Sequence, residues 1–441
     1  METFEKKDLT SSTSLEDLLA GPEKVQMNLN AEVSDEELAA IYLGNELDPE
    51  LQEMVSSLDS VGHARVNKIM VPDLLNRLTA FSGVLYGFVR EDSGYHAILG
   101  WEGAEPAPEL EAVIIGTVGG ADPGPGRISG RWEDGELHFR WNRSGILTEL
   151  KKEIYTLKQD IFSRNSGLME SDWMDKKCVV ISGCGSVGSC MALQLARSGV
   201  GHFVLIDSEC MEIHNVCRHQ CSLKDIGRYK VDAVAERIRQ INPQAQVRKF
   251  YQRIQEVPLK NYKDWMSAER ALFIGACDNR VGNAYACDAA YSIGAPFLAL
   301  GFMPRAWGGE IFYGLPERHD ICYRCAFRNQ INSAIAEERH SHTYMDEEDA
   351  GIVHFEPGLD VDLEYGVSLT DKVALDLLNR HNPDYHFRLL DKLTQFTVFS
   401  GTGDRTGVDQ FWNRAFKKPV DYCMIALSDK VRRKDCAYCC I

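Results

Sequence analysis

Residues 179–190 read VVISGCGSVGSC, an apolar, β-branched run that breaks into Gly183-Cys184-Gly185-Ser186-Val187-Gly188. A buried strand entering a glycine-rich turn and then a helix is a pattern that cradles phosphate. Gly183 permits the tight turn, Gly185 lets backbone approach a phosphate, and Gly188 allows close packing of helix on strand. The helix expected from about Ser186 aims its amide donors and positive dipole end at the anion. Asp207 ends the next apolar run, HFVLID, 19 residues beyond Gly188. A carboxylate in that position accepts hydrogen bonds from ribose hydroxyls. Turn and acid together predict a nucleotide, but they suit NAD as well as ATP.

Around the turn, CVVISG, SCMALQLARSG and HFVLID read as strand, helix and strand. KVDAVAERIRQIN is helical in spacing, and AQVRKF, ERALFIGACDN and PFLALGF are further buried-strand candidates. This alternation predicts an α/β domain with a doubly wound, mostly parallel, Rossmann-like sheet over residues 144–441. Residues 1–30 are polar and weakly periodic and are expected to be a flexible N-terminus. Residues 31–143 read as a small α+β domain. SDEELAAIYLGNEL and VPDLLNRLTAFSG carry helical spacing, and several short β-branched and aromatic runs come after them. Asp134-Gly135 lies between two alternating runs and predicts a tight hairpin. GILTELKKEIYTLKQDI, from 145 onward, repeats apolar positions at helical intervals and is expected to form a connecting helix over 144–160.

Composition narrows the class. The chain of 441 residues carries a net charge of −17, which argues against a nucleic-acid surface, since phosphate contacts need clustered Lys and Arg. No apolar run approaches the length needed to cross a bilayer, and the first residues lack the basic start and apolar stretch of a signal peptide, so a cytoplasmic location is expected. Fourteen cysteines without an export signal point to thiols and metal ligands rather than a disulfide framework.

The choice between redox dinucleotide and ATP rests on the residues beyond Asp207. Asn215, Arg218 and Lys230 lie after the second strand, in a polar loop leading to a helix. A hydride site has no need of several polyphosphate ligands, whereas cleavage between the α- and β-phosphates needs cations to offset charge as pyrophosphate departs. The segment IDSECMEIHNVCRHQ resembles the Asp and Asn-x-x-Arg motif of the ThiF/MoeB/ubiquitin-activating-enzyme family of adenylyltransferases, with His219 where Gln is usual. The resemblance runs from about 161 to 380 and returns at the C-terminus. It implies that Asp207 binds ribose, that Asn215 and Arg218 bind phosphates, and that Lys230 of GRYKVDA binds the phosphate chain. It also implies that Asp278 of IGACDNR assists Mg²⁺ and ATP, although a helix N-cap is another reading of that residue. FSRNSGL resembles the family's arginine motif, so Arg164 is expected to reach a partner subunit's site in a homodimer.

Cys322-Tyr-Arg-Cys325 and Cys436-Ala-Tyr-Cys439 are two Cys-x-x-Cys pairs, each able to grip an ion with two thiolates. Together they complete a four-sulfur zinc site, an arrangement the resemblance also implies, tying the C-terminal tail to the sheet domain. The expected crossover loop, 326–357, contains no cysteine, although many family members carry the activated acyl group on a cysteine there. Either the reaction stops at the acyl-adenylate or a thiol from elsewhere serves, with Cys440 and then Cys423 as candidates. Cys178, Cys184, Cys190, Cys277 and Cys287 fall where buried small residues are expected. The resemblance implies activation of a ubiquitin-like or sulfur-carrier protein in a bacterial conjugation pathway, with a conjugating enzyme as a further partner. A NAD-dependent oxidoreductase and a non-catalytic partner subunit are the alternatives.

Overall fold

The computed structural model describes residues 66–120, 124–263, 266–267, 269–335, 357–404 and 408–439. The flexible N-terminus, the helical reading of SDEELAAIYLGNEL, most of the crossover loop and Cys440 fall outside the described residues.

The first sheet is a closed barrel of β1 (Lys68–Pro72), β2 (Gly83–Phe88), β3 (Tyr95–Trp101), β4 (Val113–Val118), β5 (Ile128–Glu133), β6 (Glu136–Arg143) and β7 (Ile146–Tyr155), in the order β1-β3-β2-β4-β5-β6-β7. Along β6 the alternating residues Leu137, Phe139 and Trp141 turn inward and join Ile69, Val71, Leu85, Ile98 and Ile128 in its core. Asp134 and Gly135 have φ values of 51° and 83°, the two left-handed residues of a type I′ turn, so the hairpin forms where the sequence predicts it. A short helix, Asp73–Asn76, occupies part of VPDLLNRLTAFSG.

The expected connecting helix over 144–160 is corrected. Ile146–Tyr155 is a ten-residue strand paired antiparallel to β6 and parallel to β1, followed only by a one-turn helix, Leu157–Ile161. Its apolar spacing fits a helix, but pairing along both edges satisfies its backbone in closing the barrel, and that long-range gain overrides local propensity. The barrel therefore extends past residue 143, and among the described residues of 66–155 the structure is almost wholly β.

The second sheet has eight strands: β8 (Cys178–Ser182), β9 (His202–Ile206), β10 (Gln246–Phe250), β11 (Ala271–Gly275), β12 (Phe297–Phe302), β13 (Gly308–Gly314), β14 (Phe396–Ser400) and β15 (Asp421–Ile425). Their order is β10-β9-β8-β11-β12-β13-β14-β15. Pairing is parallel from β10 to β12 and antiparallel from β12 to β15. Val179 and Ile181 of β8 enter one core with the helices Ser186–Arg197, Lys230–Ile241 and Asp360–Leu378. Cys178 and Val180 enter the opposite core with the helix Arg280–Ser292. Both faces of the sheet are covered, as a doubly wound fold requires. Chain direction through the parallel half reverses between β8 and β11, which opens a crevice at their carboxyl ends.

Candidate functional site

The glycine turn leaves β8 at that crevice. Gly183 has φ of 94°, and a Cβ on it would lie 2.6 Å from the Ala276 carbonyl oxygen, just after β11. A Cβ on Gly188 would lie 1.9 Å from the Gly183 carbonyl oxygen, so both positions exclude any side chain. Gly185 differs: a Cβ there meets nothing within 4 Å. Gly185 is also the N-cap of Ser186–Arg197, and no side chain caps that helix. Its first amides therefore lack a capping side chain at residue 185, the condition for receiving an anion.

Asp207 follows β9 and braces the turn. The Cys184 N–H donates to Asp207 Oδ2 at 2.7 Å, and the Glu209 N–H donates to Oδ1 at 2.8 Å. Burial pushes the Asp207 carboxyl above its ordinary value, offset in part by those donors and the nearby Lys230 charge. Lys230 opens the helix Lys230–Ile241 and is buried, its Nζ 2.5 Å from Glu209 Oε2. Glu209 is a site residue that sequence reasoning missed; its only signal is a second acid two positions after Asp207.

Asn215 ends a short 3-10 turn, Ile213–Asn215, and its Oδ1 accepts the Glu212 N–H at 2.9 Å. The Arg218 N–H donates to the Asn215 carbonyl, and Arg218 Nη1 lies 3.9 Å from the place a Cβ would take on Gly358. Arg218 thus stands beside the chain where it returns from the crossover segment. Asp278, exposed just beyond β11, accepts the Asn279 side-chain amide at 3.0 Å. The N-cap of Arg280–Ser292 is Asn279, whose Oδ1 accepts the Gly282 N–H at 2.7 Å, so Asp278 is not consumed in capping. Its carboxylate stands at the same reversal point as the glycine turn and is a suitable hard oxygen donor for Mg²⁺.

Arg164 is not part of this cluster in its own chain. It is exposed, and the neighbouring Asn165 side chain donates to the Arg197 carbonyl at the far end of the Ser186–Arg197 helix. That end is roughly 17 Å along the axis from Ser186, beyond the reach of one side chain.

A second constellation lies elsewhere. The sulfurs of Cys322, Cys325, Cys436 and Cys439, all buried, lie within 4.8 Å of one another. Three of the separations, Cys322–Cys436, Cys325–Cys439 and Cys436–Cys439, are 3.6 Å. A tetrahedron with zinc–sulfur arms of about 2.3 Å has edges of about 3.8 Å, so the four thiols fit a structural metal ion such as zinc. Among the thioester candidates, Cys423 is half-buried on β15. Cys178, Cys184, Cys190 and Cys287 are buried, as expected; Cys277 is only partly so.

Residues 163–357 match the model of the ThiF family. The chain is 40% identical over 90 residues to tRNA threonylcarbamoyladenosine dehydratase of Bacillus subtilis, which covers 20% of this chain and 35% of that protein. It is 30% identical over 152 residues to the sulfur carrier protein ThiS adenylyltransferase of Escherichia coli, covering 33% of this chain and 57% of the relative. It is 30% identical over 158 residues to the adenylyltransferase and sulfurtransferase uba4 of Aspergillus clavatus, covering 34% and 31%. The matched region is thus between about a third and somewhat over half of each relative's length. The solved structure of Escherichia coli MccB aligns over 61% of this chain and 67% of its own, at 15% identity and a TM-score of 0.42. No described helix is long and apolar enough to cross a membrane. The segment that matches the ThiF family model holds the glycine turn, Asp207, Asn215, Arg218, Lys230, Asp278 and the first cysteine pair, and it is the part of the chain similar to relatives named as adenylyltransferases.

Proposed function

We propose that this chain uses ATP to adenylate the C-terminal carboxylate of a ubiquitin-like or sulfur-carrier protein, in the cytoplasm of a bacterium. The observation that carries the reading is the uncapped glycine turn at the strand-order reversal, flanked by the buried cation Lys230 and by the segment bearing Arg218. A protein's terminal carboxylate is already ionised at neutral pH, so no general base is needed. Its oxygen attacks the α-phosphorus, the bond from that phosphorus to the bridging oxygen breaks, and pyrophosphate leaves with the bond's electron pair. The amides of Ser186 onward would hold phosphate oxygens, and Asp207 the ribose. Lys230 would exchange Glu209 for phosphate as charge builds on the leaving group. Arg218, at the returning crossover segment, would neutralise the same charge. Mg²⁺, when bound beside Asp278, supplies further charge neutralisation for the polyphosphate. Arg164 would serve the site of a second copy, since its anchorage at the far helix end removes it from its own, and the assembly would then be a homodimer.

The test is ATP–pyrophosphate exchange together with mass spectrometry of candidate small β-grasp proteins after incubation with ATP. A C-terminal AMP adduct identifies the acceptor of adenylate, and loss of exchange in folded Asp278→Ala and Arg218→Ala supports the roles given. Full exchange in both variants refutes them. A covalent, thiol-labile adduct on the chain itself would add an onward thioester and a conjugating enzyme. A second reading, dehydration of threonylcarbamoyladenosine in tRNA, is favoured by the 40% identity to the Bacillus subtilis enzyme. The net charge of −17 opposes it, and retention of radiolabelled tRNA on the protein would decide for it.

A further inference from the structure

His219 sits next to Arg218, is 6% exposed, and has both ring nitrogens engaged. The Cys221 N–H donates to Nδ1 at 3.1 Å, so Nδ1 offers a lone pair and the single ring proton lies on Nε2. Nε2 is 2.8 Å from the Cys184 carbonyl oxygen and donates to it. Cys184 is the middle residue of Gly183-Cys184-Gly185, and its N–H is the group bonded to Asp207 Oδ2. One residue between two glycines is therefore gripped by a carboxylate on its nitrogen side and an imidazole on its carbonyl side. Glycines restrain a turn poorly by themselves, so these two bonds add to the backbone bonds Gly183 N–H to Ile206 carbonyl and Ser189 N–H to Gly185 carbonyl in setting its shape.

We infer that His219 is a positioning residue: in its neutral Nε2–H form it locks the glycine turn through the Cys184 carbonyl, and a second ring proton breaks the Cys221 bond that holds the ring in place for that lock. Protonation turns Nδ1 into a donor facing the Cys221 N–H, two donors that cannot bond to each other. The groups around the ring oppose this proton on balance. Burial disfavours the cation, the Cys184 carbonyl favours it, Lys230 from its helix disfavours it, and Asp225 from the Leu223–Asp225 turn favours it, with the net effect of lowering the imidazole's pKa. Asp207 acts on the other side of the same residue, through its N–H. The ring therefore stays neutral near pH 7, and the lock weakens only in acid. A glutamine can reproduce both bonds, its amide N–H₂ on Cys184 and its oxygen on the Cys221 N–H, without titrating.

The turn's rigidity is independent of the proposed reaction; its effect on ATP rests on that reading. The test is hydrogen–deuterium exchange of peptides spanning 183–189 in the full chain without nucleotide, corrected for intrinsic rates, at pH values near 7.5 and 5. Alongside it, ATP affinity is measured by calorimetry at the higher pH. His219→Ala should exchange roughly tenfold faster at the turn and bind ATP roughly tenfold more weakly, the effect of losing one buried hydrogen bond and leaving its acceptor unpaired. His219→Gln should show at both pH values the protection that the wild type has at pH 7.5, whereas the wild type should lose protection at the lower one. Unchanged protection in His219→Ala, or the same loss in acid for His219→Gln as for the wild type, overturns the inference. If His219→Ala fails to fold by circular dichroism, the pH contrast between wild type and His219→Gln decides alone. A wild type with a protected turn that binds no ATP upholds the lock and removes the proposed function.

Discussion

Two glycines three residues apart should separate folding from ligand binding. At Gly188 a Cβ would sit 1.9 Å from the Gly183 carbonyl oxygen, where 3.4 Å is the lower edge of ordinary contact. Alanine there must push helix and turn apart by about 1.5 Å, against backbone that has no rotamer to change, and overpacking of this severity costs about 3 kcal/mol or more. For a domain of this size that lowers Tm by roughly 6–12 °C. At Gly185 the backbone is ordinary extended conformation and the new Cβ meets nothing within 4 Å. Alanine gains roughly 0.4–1 kcal/mol through the unfolded chain and loses a similar amount as a poorer N-cap, so Tm should move by no more than about 3 °C. The methyl nevertheless fills the space over the uncapped amides. Gly185→Ala is therefore expected to fold like the wild type and bind ATP at least about tenfold more weakly, while Gly188→Ala unfolds early. Thermal melts and calorimetric ATP titration of both variants test this. A Gly185→Ala protein with wild-type affinity would show that no phosphate sits over that residue, and the site as built here would be wrong.

Removing Glu209 should act oppositely to removing Lys230. Glu209→Gln frees the lysine from its ground-state partner and should leave ATP affinity equal or a few-fold tighter, whereas Lys230→Ala should weaken it about ten- to hundredfold, both read by calorimetry. Elemental analysis should find one zinc per chain, with Cys322→Ser or Cys436→Ser losing it and melting several degrees lower; full stability of a metal-free double variant would refute a structural site. Asp371 is 4% exposed with neither carboxylate oxygen hydrogen-bonded among the described residues, and burial raises its pKa well above the ordinary value. Because the folded state favours its protonated form, the stability it permits is full below the unfolded pKa, about 4, and falls as pH rises from there towards the folded pKa. Asp371→Asn should thus raise Tm relative to wild type by roughly 2–4 °C at pH 7, and the gain should shrink towards pH 4 in differential scanning calorimetry; a gain independent of pH would contradict this.

The parts of this molecule that could be read from the sequence are those whose causes are local. VVISGCGSVGSC shows its strand, turn and helix because each glycine is required within a few residues of itself, and Asp134-Gly135 shows its hairpin for the same reason. The central parallel strands β8, β9, β11 and β12 are largely buried and are written as continuous apolar runs, unlike the edge strand β10. The antiparallel extension is not. β13 reads GGEIFYG, and its glycines argue against a strand by propensity, yet a Cβ on Gly308 would strike the Phe399 carbonyl oxygen at 2.2 Å. Glycine is present because β14 packs too closely for anything larger, and that cause lies some 90 residues away in the chain. The barrel was hidden for a similar reason: Lys68 on β1 meets Glu153 on β7 at 2.6 Å, 85 positions apart, and no local pattern in GILTELKKEIYTLKQDI records that partner. The candidate site divides along the same line. Its glycines and Asp207 announce themselves by spacing, whereas Glu209 and His219 act through contacts with Lys230 and Cys184, 21 and 35 positions away, that only folding creates. His219 makes the point most sharply. Where the family usually has glutamine, the departure looks neutral in sequence, because both side chains can donate and accept at once. In the folded chain the difference is that only the imidazole can be switched by a proton, and it is placed against the carbonyl of the residue between the turn's two glycines.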